Sequence, residues 1–140
     1  KEVILLKMLP TPMFDRSDST GVKVPLGVAA APLLCYAQAQ AQALVRIYSL
    51  TRDEVVYVLR CTQNVTALQV SARVLAVGQA AGVVDLYDAA TFSRLFSVGV
   101  FSSPEAVNPF ALGHRWLAYN ALADAPGSPN TVQLHYVEPR

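Results

Sequence analysis

Cys35, Cys61, His114 and His135 are the scarce reactive side chains of this chain. A zinc site would need several such ligands in close pairs, Cys-x-x-Cys or two histidines a helical turn apart, so that one short stretch of backbone presents two of them. Cys35 and Cys61 stand 26 residues apart, and no second ligand flanks either one. Serine hydrolysis would need a Gly-x-Ser-x-Gly elbow with a histidine base, and the elbow is missing. His114, next to Arg115, reads as a turn residue rather than a base. Gly78-Gln79-Ala80-Ala81-Gly82 is glycine-bounded, but it lacks the lysine and the spacing of a phosphate cradle. It reads as a hairpin loop between Val77 and Val83. Asn64-Val65-Thr66 is a formal glycosylation sequon, yet it opens a predicted inner strand. No catalytic, cofactor-binding or metal-binding residue is therefore assigned, no cofactor is implied, and the chain is expected not to be an enzyme.

Arg115-Trp116 has two readings. Arginine and tryptophan are enriched at interface hot spots, so the pair suits a cation–π surface or a partner anchor. Alternatively Trp116 packs between sheets while Arg115 supports the turn from Gly113. Val74 holds the equivalent place one repeat earlier, which favours the packed reading.

The elements that would position these residues follow from composition and pattern. The 140 residues carry 11 basic and 10 acidic side chains, a formal charge of +1. That balance leaves no electrostatic footprint for nucleic acid. Charged residues make up 15% against roughly 25% in ordinary domains, and 53% of the chain is apolar, which excludes disorder for its bulk. The longest uncharged stretch, Val24–Val45, contains Pro25, Gly27, Pro32, Gln38, Gln40 and Gln42, a poor membrane span. Both cysteines sit in apolar runs and read as reduced core thiols of a cytosolic protein. No signal-peptide pattern opens the chain, and Lys1 in place of Met leads us to expect a piece of a longer or processed polypeptide.

Short runs rich in Val, Leu, Tyr and Phe, broken by turn residues, predict an all-β chain. The predicted strands begin with Val3–Leu9, Pro25–Ala31, Leu44–Leu50 and Glu54–Cys61. Val65–Val70, Arg73–Gln79, Val83–Asp88 and Phe92–Val100 follow, and Pro109–Leu112, Arg115–Ala121 and Thr131–Val137 complete the set. Val74-Leu75-Ala76-Val77 is apolar on both faces, as a strand between two sheets must be. Ala37–Ala43, an Ala-Gln alternation of good helix formers, is too short to hold as a helix and is taken as an inserted loop.

Two internal matches set the architecture. Leu44-Val45-Arg46-Ile47-Tyr48-Ser49 aligns with Val83-Val84-Asp85-Leu86-Tyr87-Asp88 at a spacing of 39 residues. Arg73-Val74-Leu75-Ala76-Val77 aligns with Arg115-Trp116-Leu117-Ala118-Tyr119 at a spacing of 42. A period of this size with four short strands per unit is that of a WD-repeat β-propeller, and Leu86-Tyr87-Asp88 stands where such repeats carry Trp-Asp. The expected units are 1–62, 63–102 and an incomplete 103–140, about two and three-quarter blades. A closed ring takes about four to eight blades, so this is a propeller fragment. Its end faces should be bare, exposing Val3, Leu5 and Leu6 at one end and Leu117, Tyr119 and Leu134 at the other, and the isolated chain should self-associate.

Val45–Leu50 with its turn, Val83–Phe96 and above all Asn108-Pro109-Phe110-Ala111-Leu112-Gly113-His114-Arg115-Trp116-Leu117-Ala118-Tyr119 resemble the breast-carcinoma-amplified-sequence-3 family. Leu9-Pro10-Thr11-Pro12 and Pro25-Leu26-Gly27-Val28 fall at matching places. His114 stands where that family usually has Ser, and the Ala-Gln insertion and the linker Asp124–Asn130 also depart from it. The resemblance implies a PROPPIN-like seven-bladed propeller: a cytoplasmic scaffold associated with phosphoinositides and with proteins of the phagophore assembly site, acting peripherally at autophagic membranes. The lipid signature of such propellers contains an Arg-Arg pair, which this sequence lacks. No lipid-binding residue is carried over, and those residues are unknown. A generic WD-repeat protein-interaction module without lipid binding is the alternative.

Overall fold

The computed structural model describes residues 3–10, 25–39, 41–80, 82–100, 110–120 and 132–136. These residues build eleven strands and one helical turn. In chain order they are β1 (Val3–Leu9), α1 (Leu26–Ala29), β2 (Leu33–Gln38), β3 (Ala41–Ser49), β4 (Glu54–Arg60), β5 (Val65–Val70), β6 (Val74–Gln79), β7 (Val83–Asp88), β8 (Arg94–Gly99), β9 (Phe110–Leu112), β10 (Trp116–Asn120) and β11 (Val132–Tyr136). Consecutive strands pair antiparallel into three sheets, β1-β2-β3-β4, β5-β6-β7-β8 and β9-β10-β11. The chain is thus all-β, an open, partial propeller of adjacent blades. The two aligned repeats fall on corresponding strands: β3 with β7, the third of each blade, and β6 with β10, the second.

Alternation along the strands places two cores between the three blades. Leu33, Cys35, Val45 and Ile47 of the first blade meet Leu75, Val77 and Phe92 of the second. Val74, Ala76, Val84 and Leu86 on the reverse of the second blade meet Phe110, Leu117 and Tyr119 of the third. Every residue of β6 is buried, so the expectation drawn from its two-sided apolar run holds. Inner strand touches inner strand: β1 lies against β5 and β5 against β9.

Three expectations need correction. Pro25–Ala31 is not a strand; Pro25, with φ −60°, leads into the single turn α1, whose first N–H groups reach the Pro25 carbonyl at 3.0 and 2.9 Å. Proline presets the dihedral and the alanines accept it. Ala37–Ala43 is not an inserted loop either. Ala37 and Gln38 end β2, Ala41 begins β3, and Gln38 pairs Ala41 across a bulged register. The ladders to β1 and β4 satisfy this backbone, which outweighs the helix preference of Ala and Gln. The bare ends also differ in detail. Val3, Leu6 and Leu134 are exposed, but Leu5 packs against the first core, and Leu117 and Tyr119 are buried against the second blade.

Candidate functional site

The densest polar arrangement lies where the first and second blades meet. Strand alternation turns Asp85 and Tyr87 toward the first blade, while Val84 and Leu86 face the third. Asp85 is thereby a carboxylate buried between sheets, which must be paired or hydrogen-bonded. Gln79 Nε2 donates to its Oδ2 at 2.5 Å. Arg94 Nη2 donates to Oδ1 at 3.3 Å, and Ser97 Oγ donates to the same oxygen. Thr62 Oγ1 in turn donates to Gln79 Oε1 at 3.4 Å, carrying the network back toward the end of β4. A cleft of about 430 Å³ opens above it, lined by Tyr57, Arg60, Thr62, Tyr87, Phe92 and Arg94 among others. The Tyr57 and Phe92 rings lie 5.3 Å apart across the blade junction.

This arrangement suits holding blades together. Both Asp85 oxygens are taken by donors, so neither is free to accept a substrate proton. Burial pushes the Cys61 thiol to about 11, with the Asp85 charge adding to it. Burial also raises the Tyr87 phenol to about 12, helped by Cys61 and Asp85. Both groups stay protonated at neutral pH and are poor nucleophiles. Cys35 is buried, its thiol donates to the Lys7 carbonyl at 3.6 Å, and burial raises it to about 12. Both cysteines are free, in keeping with the expected reduced thiols.

The residues singled out in the sequence do not converge. His114 is exposed in the turn closed by the Gly113 N–H on the Trp116 carbonyl, and His135 lies on β11 in register with Leu117. Among the described residues no group of three His, Cys, Asp or Glu is placed to hold a metal. No helix of the described residues is long and apolar enough to cross a membrane. Gly78 and Gln79 belong to β6, so the predicted hairpin loop shortens to Ala80–Gly82. Asn64 is exposed immediately before β5. Trp116 corrects the packed reading: it is 51% exposed, with its ring edge-on to Tyr136 at 5.1 Å. The alternation that sends Leu117 and Tyr119 to the second blade sends Trp116 the other way. The Asp85 network was missed at the level of sequence. Its signal was a lone acid inside an apolar strand, one repeat from Arg46 and six residues from a glutamine ending the two-sided apolar run.

Comparison with known proteins agrees with this architecture. The family described as BCAS3, WD40 repeat matches residues 1–125. Autophagy-related protein 18g of Arabidopsis thaliana is 40% identical over 86 residues, covering 54% of this chain and 9% of that protein. Autophagy-related protein 18h of the same plant is 32% identical over 108 residues, covering 69% of this chain and 11% of that protein. The chain thus spans about a tenth of the length of these curated relatives. Among solved structures, Kluyveromyces lactis Hsv2 superposes with a TM-score of 0.54 at 11% identity, over 73% of this chain and 34% of that one. The Neurospora crassa Pan2 WD40 domain gives 0.53 at 12%, over 95% of this chain and 35% of that one. At such identities the structures speak for the propeller fold alone.

Proposed function

This chain belongs to the BCAS3 WD40-repeat family, and from that membership we propose that it is part of a non-catalytic scaffold propeller acting in autophagy. The observation that carries the reading is the 40% identity to a plant protein named for autophagy. The inert chemistry between the blades supports the non-catalytic part, since Asp85 is saturated and Cys61 and Tyr87 are held protonated. In this reading units 1–62, 63–102 and 103–140 are successive blades. The complete propeller works in the cytoplasm, binds proteins of the phagophore assembly site and reaches autophagic membranes through phosphoinositides. The lipid contacts lie outside this segment, because no Arg-Arg pair occurs in it. That same absence, with a formal charge of only +1, favours a second reading: a protein-interaction module without lipid binding.

Two measurements on the full polypeptide containing this segment test the parts separately. Co-sedimentation with vesicles carrying phosphatidylinositol phosphates, against phosphatidylcholine vesicles, is expected to pellet the protein only with the former. Indifference to the headgroup at physiological salt removes the lipid role and leaves the interaction module. Loss of the gene product is expected to slow autophagic turnover of a cytoplasmic reporter, and unchanged turnover removes the autophagy reading.

A further inference from the structure

The two ends of the blade array expose the two halves of an interface that the chain already makes twice. In register, Val74, Ala76 and Leu86 face the third blade, and Trp116, Ala118 and Leu134 hold those positions on the third blade's own outer face. On the other side, Val77, Asp85 and Tyr87 turn toward the first blade, and Tyr36, Arg46 and Tyr48 hold those positions on the first blade's outer face. Both outer faces are apolar and open. Leu6 and Met8 are 58% and 53% exposed at one end, and Leu134 is 68% exposed at the other.

Arg46 says what the first face lacks. Its Nη1 is buried without a hydrogen-bond partner, in a strand position flanked by Tyr36 and Val58. Asp85, at the same repeat position in the closed interface, is fully bonded. The covering surface must therefore bring an acceptor or an aromatic face to Arg46. The third blade brings both in Tyr136, an exposed phenol, and in Trp116, whose ring it meets edge-on.

We infer that the first blade's outer face binds the third blade's outer face of a second copy of this chain, head to tail, with Arg46 against the Trp116–Tyr136 pair. Two copies joined at both ends close a ring of six sheets, within the about four to eight that propellers use. The inference does not depend on the autophagy reading.

Sedimentation velocity of the 140-residue chain is expected to give a dimer at micromolar concentration. Leu6→Glu and Leu134→Glu each change a side chain already open to solvent, so near-UV circular dichroism should stay that of the unaltered chain. Each variant alone should be monomeric, because each blocks both contacts of the ring. An equal mixture should recover a heterodimer through the one contact left intact, and Arg46→Met should weaken that heterodimer about tenfold. An unaltered chain that stays monomeric overturns the inference and assigns the faces to other blades. A dimer that survives either single substitution overturns it as well, as does a mixture that stays monomeric.

Discussion

Cys35 illustrates how a reactive side chain is silenced by position. It is fully buried, its thiol donates to the Lys7 carbonyl, and burial holds it protonated up to about 12. Because the folded value lies above the ordinary one, the stability it contributes is complete below pH about 9. It is lost as pH rises toward 12. Melting temperature is therefore expected to fall across that alkaline window, and Cys35→Ala should make the fall shallower. A thiol reagent at pH about 8 should label neither cysteine quickly in the native chain and both in denaturant. Asp53 and Phe92 make a second residue-level pair. They occupy the same place in their hairpins, and both take positive φ, 53° and 62°. Such a backbone costs a side chain about 1 kcal/mol or more, so something must hold each in place. Phe92 is 2% exposed against Tyr57, whereas Asp53 is an exposed residue that accepts from the Tyr48 hydroxyl. Chemical denaturation should find Phe92→Gly destabilising by about 2–4 kcal/mol, the lost ring outweighing the relieved backbone. Asp53→Gly should stay within about 1 kcal/mol of the parent. Neither constraint was legible in the sequence, since only the folded hairpin sets φ.

Most strands were legible because two-sided or alternating apolar runs leave few other options. β5 and β7 carry the expected bounds. β2 was hidden for a physical reason: its residues Leu33, Cys35 and Ala37 alternate inward, but Pro32 precedes them and the Ala-Gln tract follows. Local propensity there points to helix or loop, and only pairing with β1 and β3 decides for strand. The links between blades were not legible either. Gln69 on β5 reaches the edge of β9, donating Nε2 to the Phe110 carbonyl at 2.9 Å and accepting the Leu112 N–H at 2.8 Å. One amide thus satisfies a donor and an acceptor that no strand pairs. Gln69→Leu should cost about 2 kcal/mol in denaturant unfolding, since it leaves both backbone groups partly buried and unmet. Gln69→Glu keeps the acceptor and loses the donor. It should be destabilising at neutral pH and recover as acid protonates the new carboxyl, whereas a merely space-filling role for Gln69 would give no such pH dependence. The cap of the β7–β8 hairpin, Asp88 Oδ1 on the Ala90 and Thr91 N–H groups, is the one link that Leu86-Tyr87-Asp88 did announce.

At the scale of the molecule, two cores share one blade. The first core joins the first and second blades and the second core joins the second and third, so stability should follow nearest-neighbour rules rather than one global core. Leu75, Leu86 and Leu117 are all fully buried leucines, and truncating any one to Ala should cost about 2–5 kcal/mol locally. Their consequences should still differ. Leu117 belongs to the third blade and touches only the second core, so its loss loosens β9–β11 against a blade pair that retains the first core. Leu75 and Leu86 stand on opposite faces of the second blade, and losing either weakens the sheet on which both neighbours lean. Native-state hydrogen exchange separates these outcomes. In the unaltered chain the slowest amides should be those of β6 and the centre of β7, paired on both edges and covered on both faces. Leu117→Ala should speed exchange in β9–β11 and leave β2, β3 and β6 near their parent rates. Leu75→Ala should speed exchange in the first and second blades together. Uniform acceleration by Leu117→Ala would mean that the three blades open as one cooperative unit, and the nearest-neighbour account would then be wrong.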